Sequence, residues 1–283
     1  DVMFPEKDRM GGDQSLAANM TMHPTILTNM PSEKTKNIPK HPGIVVLNSD
    51  YQDRIVKYPG IIANIPILED YAIGVGTINM LPEVDGVNRR VPLISSIQGQ
   101  LYPSLAMETL RVAGADTTFQ VKLNENGVEK MRIPAFGPVT TDNLGRVWID
   151  WSQRSKSVSL TDLPRDFGGA IVIVGPTAAG IANPVPTSVG AVWPQDVQAA
   201  TISTMINGVV IQRPDYADGA EILAILLAGV ILLFLTRWTY VGLASGVIAL
   251  AVLYPVSSYL YKTDLWLLDI TALAGGLVLV LLH

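Results

Sequence analysis

The sequence predicts a mixed α/β soluble domain followed by a three-helix transmembrane region. In the tail, residues 218–283 carry only six charged side chains, and long uncharged stretches follow one another with short connectors. In residues 1–217, short β-type runs bounded by turn residues alternate with segments of helical pattern. We therefore place the border between a soluble and a membrane part at residues 217 and 218.

The tail divides into three candidate spans, at about residues 219–238, 239–261 and 265–282. Each approaches the ~20 apolar residues that a bilayer core requires. Arg237 lies between the first two spans without a neighbouring acid, and the positive-inside rule places it in the cytoplasm. Residues 1–217 are then expected outside the cytoplasmic membrane, and His283 inside.

Four residues of the tail suggest specific roles. Gly242 and Gly246 form a small-xxx-small pair that favours close helix packing, within one chain or between two chains. Pro255 is expected to kink the second span. Asp269 is predicted about one turn inside the third span, where an ionisable group has a functional or pairing role or simply reaches the interface.

Within the soluble part, the composition of residues 20–45 indicates a surface excursion. The signals for secondary structure are clearer further along the chain. The helix that starts after Ser104 is expected to stop at Gly114. The predicted strands are Ile73–Met80 and Asn88–Ser96 joined through an Asp85-Gly86 turn, Phe119–Leu123 and Val128–Ile133 joined through Asn124–Gly127, and Arg146–Trp151.

Towards its end, the soluble part carries a continuous apolar run, Ala170–Val174. Such a run is typical of a strand that is buried on both faces. Gly175–Gly180 follows it, and a helix is predicted over Pro194–Asn207. Because α/β sheets open crevices at the carboxyl ends of strands, we interpret Thr177, Trp193 and Asp196 as tentative ligand-binding residues. The helix leads directly towards the first span.

A second candidate site is the adjacent pair Arg89 and Arg90. Two guanidinium groups are suited to an anionic ligand. The alternative is structural, because neighbours in a strand point to opposite faces and one arginine can pair with an acid such as Asp85 or Glu108. We favour the structural interpretation.

Composition argues against several classes of function. The chain has net charge −5 and no long basic run, so nucleic acid is not an expected partner. It contains no cysteine and three scattered histidines, and we predict no metal site and no cofactor. Gly175–Gly180 lacks the fingerprint of a phosphate-binding loop. We also find no catalytic constellation, so the expected catalytic residues are none.

Four stretches resemble the type-two CHASE domain, the cyclase- and histidine-kinase-associated sensory extracellular domain, in order and spacing. They are Gly74–Asn79, Asp85–Leu93, Leu101–Glu108 with Leu110-Arg111, and Ile171–Ala178. The opening Phe4–Arg9, with Asp13 and Leu16–Ala18, is similar to an early segment of the same domain. Two departures occur: Asn183 stands where relatives often have Asp, and Trp193–Ala199 replaces a segment that often carries Gly and His.

The resemblance implies a bacterial inner-membrane, multi-pass receptor whose sensor lies outside the cytoplasm. It also implies an upstream helix and a downstream output enzyme beyond these residues, an adenylate or guanylate cyclase first and a histidine kinase second. The expected partners are membrane lipid, a second copy of the chain in a homodimer, and an unknown small-molecule or protein stimulus. The alternative is a structural or accessory membrane subunit that senses nothing.

Overall fold

The computed structural model describes residues 1–40, 43–153, 155–163, 166–178, 180–211, 213, 216–235 and 239–282. The chain forms two compact units, Asp1–Val209 and Val210–His283. The first unit is mixed α/β, and the described part of the second is mainly helical. The predicted border at residues 217 and 218, as a border between soluble and membrane parts, stays a prediction.

The first unit contains short strands and short helices. Its helices are α1 (Asp13–Met20), α2 (Pro66–Tyr71), α3 (Leu105–Ala113) and α4 (Pro194–Ile206). Its strands are β1 (Ile26–Ser32), β2 (Ile44–Leu47), β3 (Lys57–Tyr58), β4 (Gly60–Ile62), β5 (Gly74–Thr77), β6 (Arg90–Pro92), β7 (Ile94–Ile97), β8 (Gln100–Pro103), β9 (Phe119–Asn124), β10 (Gly127–Ile133), β11 (Gly137–Val139), β12 (Arg146–Trp148), β13 (Val185–Thr187) and β14 (Gly190–Val192).

These strands form several small sheets. Four strands follow the order β11-β10-β9-β2, and three strands each follow the orders β4-β1-β5 and β3-β7-β8. β12 pairs with β6, and β13 pairs with β14. Parallel pairs (β1 with β5, β2 with β9, β3 with β7) occur beside antiparallel ones, so the mixed α/β prediction is confirmed.

The main core lies between α3 and the four-stranded sheet. Ser104 begins α3 as predicted, because its Oγ accepts a hydrogen bond from the backbone N of Met107 at 3.2 Å. Gly114 is the C-cap residue. The core includes Met107 and Leu110 of the helix and Phe119 and Met131 of the sheet, all fully buried. The predicted hairpin that leads from β9 into β10 is confirmed.

β5 lies directly against α3 because two of its residues lack a side chain. A Cβ atom on Gly76 would lie 2.5 Å from the Cα of Leu105, which is backbone and cannot move aside. A Cβ atom on Gly74 would lie 2.3 Å from Oε1 of Glu108. Glu108 is itself buried and receives two hydrogen bonds from Arg111 at 2.7 and 2.9 Å. Two of the stretches that resemble CHASE domains, Gly74–Asn79 and Leu101–Glu108, therefore meet in a close contact between a strand and a helix.

Three predictions for the soluble part are wrong. β5 and β6 do not pair as a hairpin, because β5 pairs with β1 and β6 pairs with β12. β1, inside the predicted surface excursion, is the central strand of its sheet. Ala170–Val174 is not a strand, and Ile171, Val172 and Val174 are exposed, although Ile173 packs partly against the main core.

The second unit contains three helices among its described residues. They are α5 (Ala217–Leu235), α6 (Thr239–Asp264) and α7 (Ile270–Leu282). α6 contains the one stretch of the described residues that is long and apolar enough to cross a membrane, Ala244–Asp264, with a mean hydropathy of 1.4. α5 has a shorter apolar stretch, Gly219–Ile231. α7 begins five residues later than the predicted third span.

The four tail residues occupy distinct places. Gly242, Gly246 and Pro255 all lie in α6, and Gly246 is buried. Asp269 precedes α7 instead of lying one turn inside a helix, because its Oδ1 accepts a hydrogen bond from the backbone N of Thr271 at 2.8 Å. Arg237 and His283, on which the predicted orientation depends, lie outside the described residues.

Candidate functional site

The first turn of α4 is built as the sequence predicts. Trp193 is the N-cap residue and has an extended backbone. Pro194 occupies the first turn, where a backbone N–H would have no partner within the helix, so the missing N–H of proline costs no hydrogen bond. The carbonyl oxygen of Trp193 accepts from the backbone N of Asp196 at 3.0 Å and of Val197 at 3.3 Å. The Asp196 side chain is thereby fixed at the beginning of the helix.

An open pocket of about 200 Å³ lies beside this turn. It is called the α4 pocket below. Its lining residues are Trp151, Gln153, Ser155, Ser157, Val192, Asp196 and Ala200. They come from the segment after β12, from β14 and from one face of α4.

The α4 pocket has an apolar floor and a polar rim. Trp151, Val192 and Ala200 belong to a small hydrophobic cluster that also contains Val91 and Val197. The remaining lining residues carry an amide, two hydroxyl groups and a carboxylate. Pockets of this kind, with an apolar body and a few polar groups, are the usual sites for small ligands.

Of the predicted crevice residues, only Asp196 lines this pocket. Trp193 is half-buried at the helix N-cap, and Thr177 is exposed. The segment that contains Thr177 nevertheless reaches α4, since a Cβ atom on Gly175 would lie 2.7 Å from Cδ of Gln195. We predicted a crevice at the carboxyl end of a buried strand, Ala170–Val174, which the structure does not form. The α4 pocket is therefore not the predicted strand-end crevice.

Other residues that line the pocket were missed by the sequence analysis. Gln153, Ser155 and Ser157 lie in a polar segment without secondary structure or motif. Trp151, at the end of a predicted strand, was the one available signal, because an aromatic residue at a strand end can anchor a pocket wall.

Arg89 and Arg90 have separate ion-pair partners. The Nη1 and Nη2 atoms of Arg89 donate to the two Asp85 carboxylate oxygens at 2.9 and 2.7 Å. These hydrogen bonds hold the pKa of Asp85 below its usual range. Arg90 donates to both oxygens of Glu83 at 2.7 Å and to Asp142 at 2.9 Å. Both arginines therefore have ion-pair partners, although the sequence led us to expect only one to be paired. Glu108, named as a possible partner, pairs with Arg111 instead.

Arg90 is the centre of a charge-balanced cluster. Asp142 also accepts from Nε of Arg146 at 2.8 Å, and the Arg90 guanidinium lies 4.8 Å from the ring centroid of Trp148. Two arginines thus face two carboxylates and one aromatic ring. This arrangement ties β6, β12 and the preceding turns together, and it provides less excess positive charge for an anion than the sequence alone suggests.

The Arg89–Arg90 segment is joined to the approach to α4. The backbone N of Asn88 donates to the carbonyl oxygen of Pro186 at 2.9 Å, and its Nδ2 donates to the same oxygen at 3.1 Å. Pro186 lies in β13, whose partner β14 ends just before Trp193. The sequence separation of 98 residues hid this link from the sequence analysis.

The described residues contain no group of three His, Cys, Asp or Glu side chains that is arranged to hold a metal ion. The groups that are brought together at the α4 pocket favour binding of a small molecule by shape, hydrogen bonding and charge.

Comparison with known proteins gives one positive result. The family model of the CHASE2 domain matches residues 1–234. Searches of curated proteins and of solved structures found no significant match. The matched region covers the whole α/β unit, including the α4 pocket and the contact of β5 with α3. The chain therefore belongs to the CHASE2 family, an extracellular sensory domain of receptors that are associated with cyclases and kinases.

Proposed function

We propose that this chain is the sensing part of a bacterial transmembrane receptor that controls an output enzyme in the cytoplasm. The observation that carries the proposal is the extent of the family match, which continues through the α/β unit into α5. A sensory domain that continues directly into an apolar helix is suited to pass a binding event towards a membrane. As the output enzyme we propose a nucleotide cyclase, with a histidine kinase as the second candidate.

We further propose that α5, α6 and α7 all cross the cytoplasmic membrane. Exposed apolar side chains support this, for example Leu226, Ile231 and Phe234 of α5, which are 61%, 58% and 76% exposed. In water such surfaces are costly, whereas lipid covers them. The membrane lipid is then a partner of the chain, and the α/β unit lies outside the cytoplasm.

A polar clamp supports a coupled movement of these helices. The Nη1 and Nη2 atoms of Arg213 donate to the Glu221 carboxylate at 3.1 and 2.8 Å. Oε1 of Glu221 also accepts from the backbone N of Asp269 at 2.8 Å, and Arg213 donates to the carbonyl oxygen of Leu267 at 3.3 Å. The clamp joins the start of α5 to the residues just before α7. A displacement of α5 is thereby passed to α7.

Signalling then requires that the stimulus bind one arrangement of the helices better than another, because a ligand shifts an equilibrium only by its differential affinity. Cyclase and kinase outputs generally act as pairs, so we propose a homodimer. Gly242 and Gly246 on α6 are suited to close helix contacts, either between the two copies or, since Gly246 is already buried within one copy, between helices of the same chain.

Enzymatic output from the full receptor tests this function. The full-length protein, with its own output domain, is assayed for product formation with Thr177→Val, Trp193→Ala and Asp196→Asn, and in parallel with Arg89→Ala and Arg90→Ala. We expect the α4 variants, Asp196→Asn above all, to change the signal. If only the arginine variants change it, while all five proteins fold and insert, sensing does not occur at α4.

Orientation has its own test. A cysteine introduced at Ser155, on the rim of the α4 pocket, is expected to react with a membrane-impermeant thiol reagent once the outer barrier is opened. Protection at Ser155 together with labelling of Arg237→Cys would reverse the topology. The rival function, an accessory membrane subunit, predicts that the chain copurifies with a larger complex and that no variant alters an enzymatic output.

A further inference from the structure

One carboxylate of the α4 pocket has no ionic partner. Among the residues that the structure describes, no cation or hydrogen-bond donor contacts the carboxylate oxygens of Asp196. Several other acids of the α/β unit, such as Asp85, Glu83 and Asp142, are paired with arginine. Asp196 thus differs from the acids that hold the fold together.

The position of Asp196 makes this carboxylate available to a ligand. It stands on the same face of α4 as Ala200, which belongs to the hydrophobic floor, and the two side chains line the same cavity. Trp151 lines the same cavity. A carboxylate and an aromatic ring around an apolar floor are the two features by which proteins recognise an ammonium group.

The described lining residues carry one charged side chain, the carboxylate of Asp196. None of the described lining residues is Lys, Arg or His, and Arg154, between Gln153 and Ser155, lies outside the described residues. Among the described groups, a carboxylate or phosphate would meet Asp196 without a compensating cationic side chain. Gln153, Ser155 and Ser157 add hydrogen-bonding groups without adding charge. The local electrostatics therefore favour a cation.

The size of the cavity limits the ligand further. At about 200 Å³ it has room for roughly six or seven water molecules, each of which occupies about 30 Å³. A compound with a short apolar body and one charged head fills this space.

We propose that the α4 pocket is a binding site for a small organic ammonium compound, with the charged head at Asp196 and the apolar body on Trp151, Val192 and Ala200. The proposal names the class of stimulus and rests on the sensory function proposed above. Binding would add charge-assisted contacts at the first turn of α4, the helix that leads in sequence to α5.

The test compares three probes of nearly equal shape and different charge. n-Propylammonium, n-propanol and propionate are titrated into the full chain in detergent micelles, and binding is followed by calorimetry. We expect saturable binding of propylammonium, with propionate at least about tenfold weaker, because a charge-assisted hydrogen bond is replaced by repulsion. Propionate binding that equals or exceeds propylammonium binding would overturn the proposal, as would no saturable binding of propylammonium.

Variants locate the site. Asp196→Asn keeps the size of the side chain and should bring the affinities for propylammonium and propanol to within about threefold of each other. Asp162→Asn, at an exposed acid away from the pocket lining, should leave the preference unchanged. A preference that survives in Asp196→Asn assigns the cation to another site and contradicts the proposal.

A third variant changes Arg154, which lies between Gln153 and Ser155 in sequence but outside the described residues. Arg154→Ala should leave the preference for the cation intact. If it instead abolishes binding of all probes, the pocket recognises an anion or zwitterion through Arg154 and the proposal is wrong. Because binding is measured without product formation, failure of this experiment is distinct from failure of the receptor assay.

Discussion

Asn88 donates two hydrogen bonds to a single carbonyl oxygen, that of Pro186, at 2.9 and 3.1 Å. Asn88 is buried, and its Oδ1 has no partner among the described residues. The contact joins the turn before β6 to the β13–β14 pair, and β14 ends immediately before α4. It links the Arg90 cluster to the strand pair that leads into the α4 pocket.

Asn88→Ala is expected to loosen the β13–β14 pair without unfolding the unit. The variant removes one side-chain hydrogen bond, worth about 0.5–1.5 kcal/mol, and keeps the backbone bond. Amide hydrogen exchange of residues 185–192 should accelerate by about tenfold, measured by mass spectrometry. Asn126→Ala, in the exposed β9–β10 turn, serves as the control and should leave this exchange unchanged. Equal exchange in both variants would mean that the contact does not restrain the strands.

Gly76→Ala is expected to be strongly destabilising. A methyl group there would lie 2.5 Å from the Cα and 2.7 Å from the backbone N of Leu105, so β5 and α3 must separate. We expect a loss of about 3 kcal/mol or more in the free energy of unfolding, at the upper end of overpacking effects. Chemical denaturation of the full chain measures it.

Gly219→Ala provides the matched control for Gly76→Ala. No atom lies within 4 Å of its added Cβ, and alanine favours a helix at this position of α5. This variant should be neutral or slightly stabilising. If Gly76→Ala is equally well tolerated, the close approach of β5 to α3 is not required by the fold.

Local signals predicted part of this fold from the sequence. α3 was predicted because Ser104 and Gly114 act on neighbouring backbone atoms, and the β9–β10 hairpin because Gly127 closes its turn. The pairing of β1 with β5, in contrast, depends on contacts between residues 26–29 and 74–77, which no local pattern reveals. Ala170–Val174 has a strand-like composition, but among the described residues no strand pairs with it.

The candidate site was predicted less completely than the fold. Asp196 was singled out for its place between a crevice and the membrane, whereas Trp151 and the 153–157 segment come from elsewhere in the chain. Such a pocket forms only when β14, α4 and the segment after β12 meet, and that meeting depends on long-range packing. The pairing of Arg89 with Asp85 matches a partner named from the sequence, whereas the pairing of Arg90 with Glu83 and Asp142 was not predicted.

Acid should weaken the Arg90 cluster through Glu83. Hydrogen bonds from Arg90 hold the pKa of Glu83 below its ordinary value of 4.5. Because the folded-state pKa is depressed, the stabilisation is present above pH 4.5 and is lost as the pH falls through the lower, folded-state pKa. We expect Glu83→Gln to cost about 1–2 kcal/mol at pH 7, and we expect its difference from the parent protein to shrink as the pH falls below 4.5.

Thermal unfolding from pH 7 to pH 3 checks this dependence. Glu125→Gln, at an exposed position in the β9–β10 turn, is the control and should follow the parent protein at every pH. A difference between Glu83→Gln and the parent that stays constant with pH would show that the carboxylate charge does not stabilise the cluster.

The clamp between Arg213 and Glu221 should couple the start of α5 to the residues before α7. Both side chains are partly buried, at 25% and 18% exposure, so their interaction is less screened than that of a surface pair. A double-mutant cycle with Arg213→Gln and Glu221→Gln, measured by unfolding in micelles, should give a coupling energy of about 1–3 kcal/mol. Thr263→Val and Asp264→Asn, an exposed hydrogen-bonded pair of the same unit, should give a much smaller value.

In the full receptor, Glu221→Gln should reduce the change in output that the stimulus produces while leaving insertion intact, because α5 then moves without α7. If the Glu221→Gln receptor has lost the coupling energy between Arg213 and Glu221 but still responds normally to the stimulus, the signal reaches the cytoplasm through another helix contact.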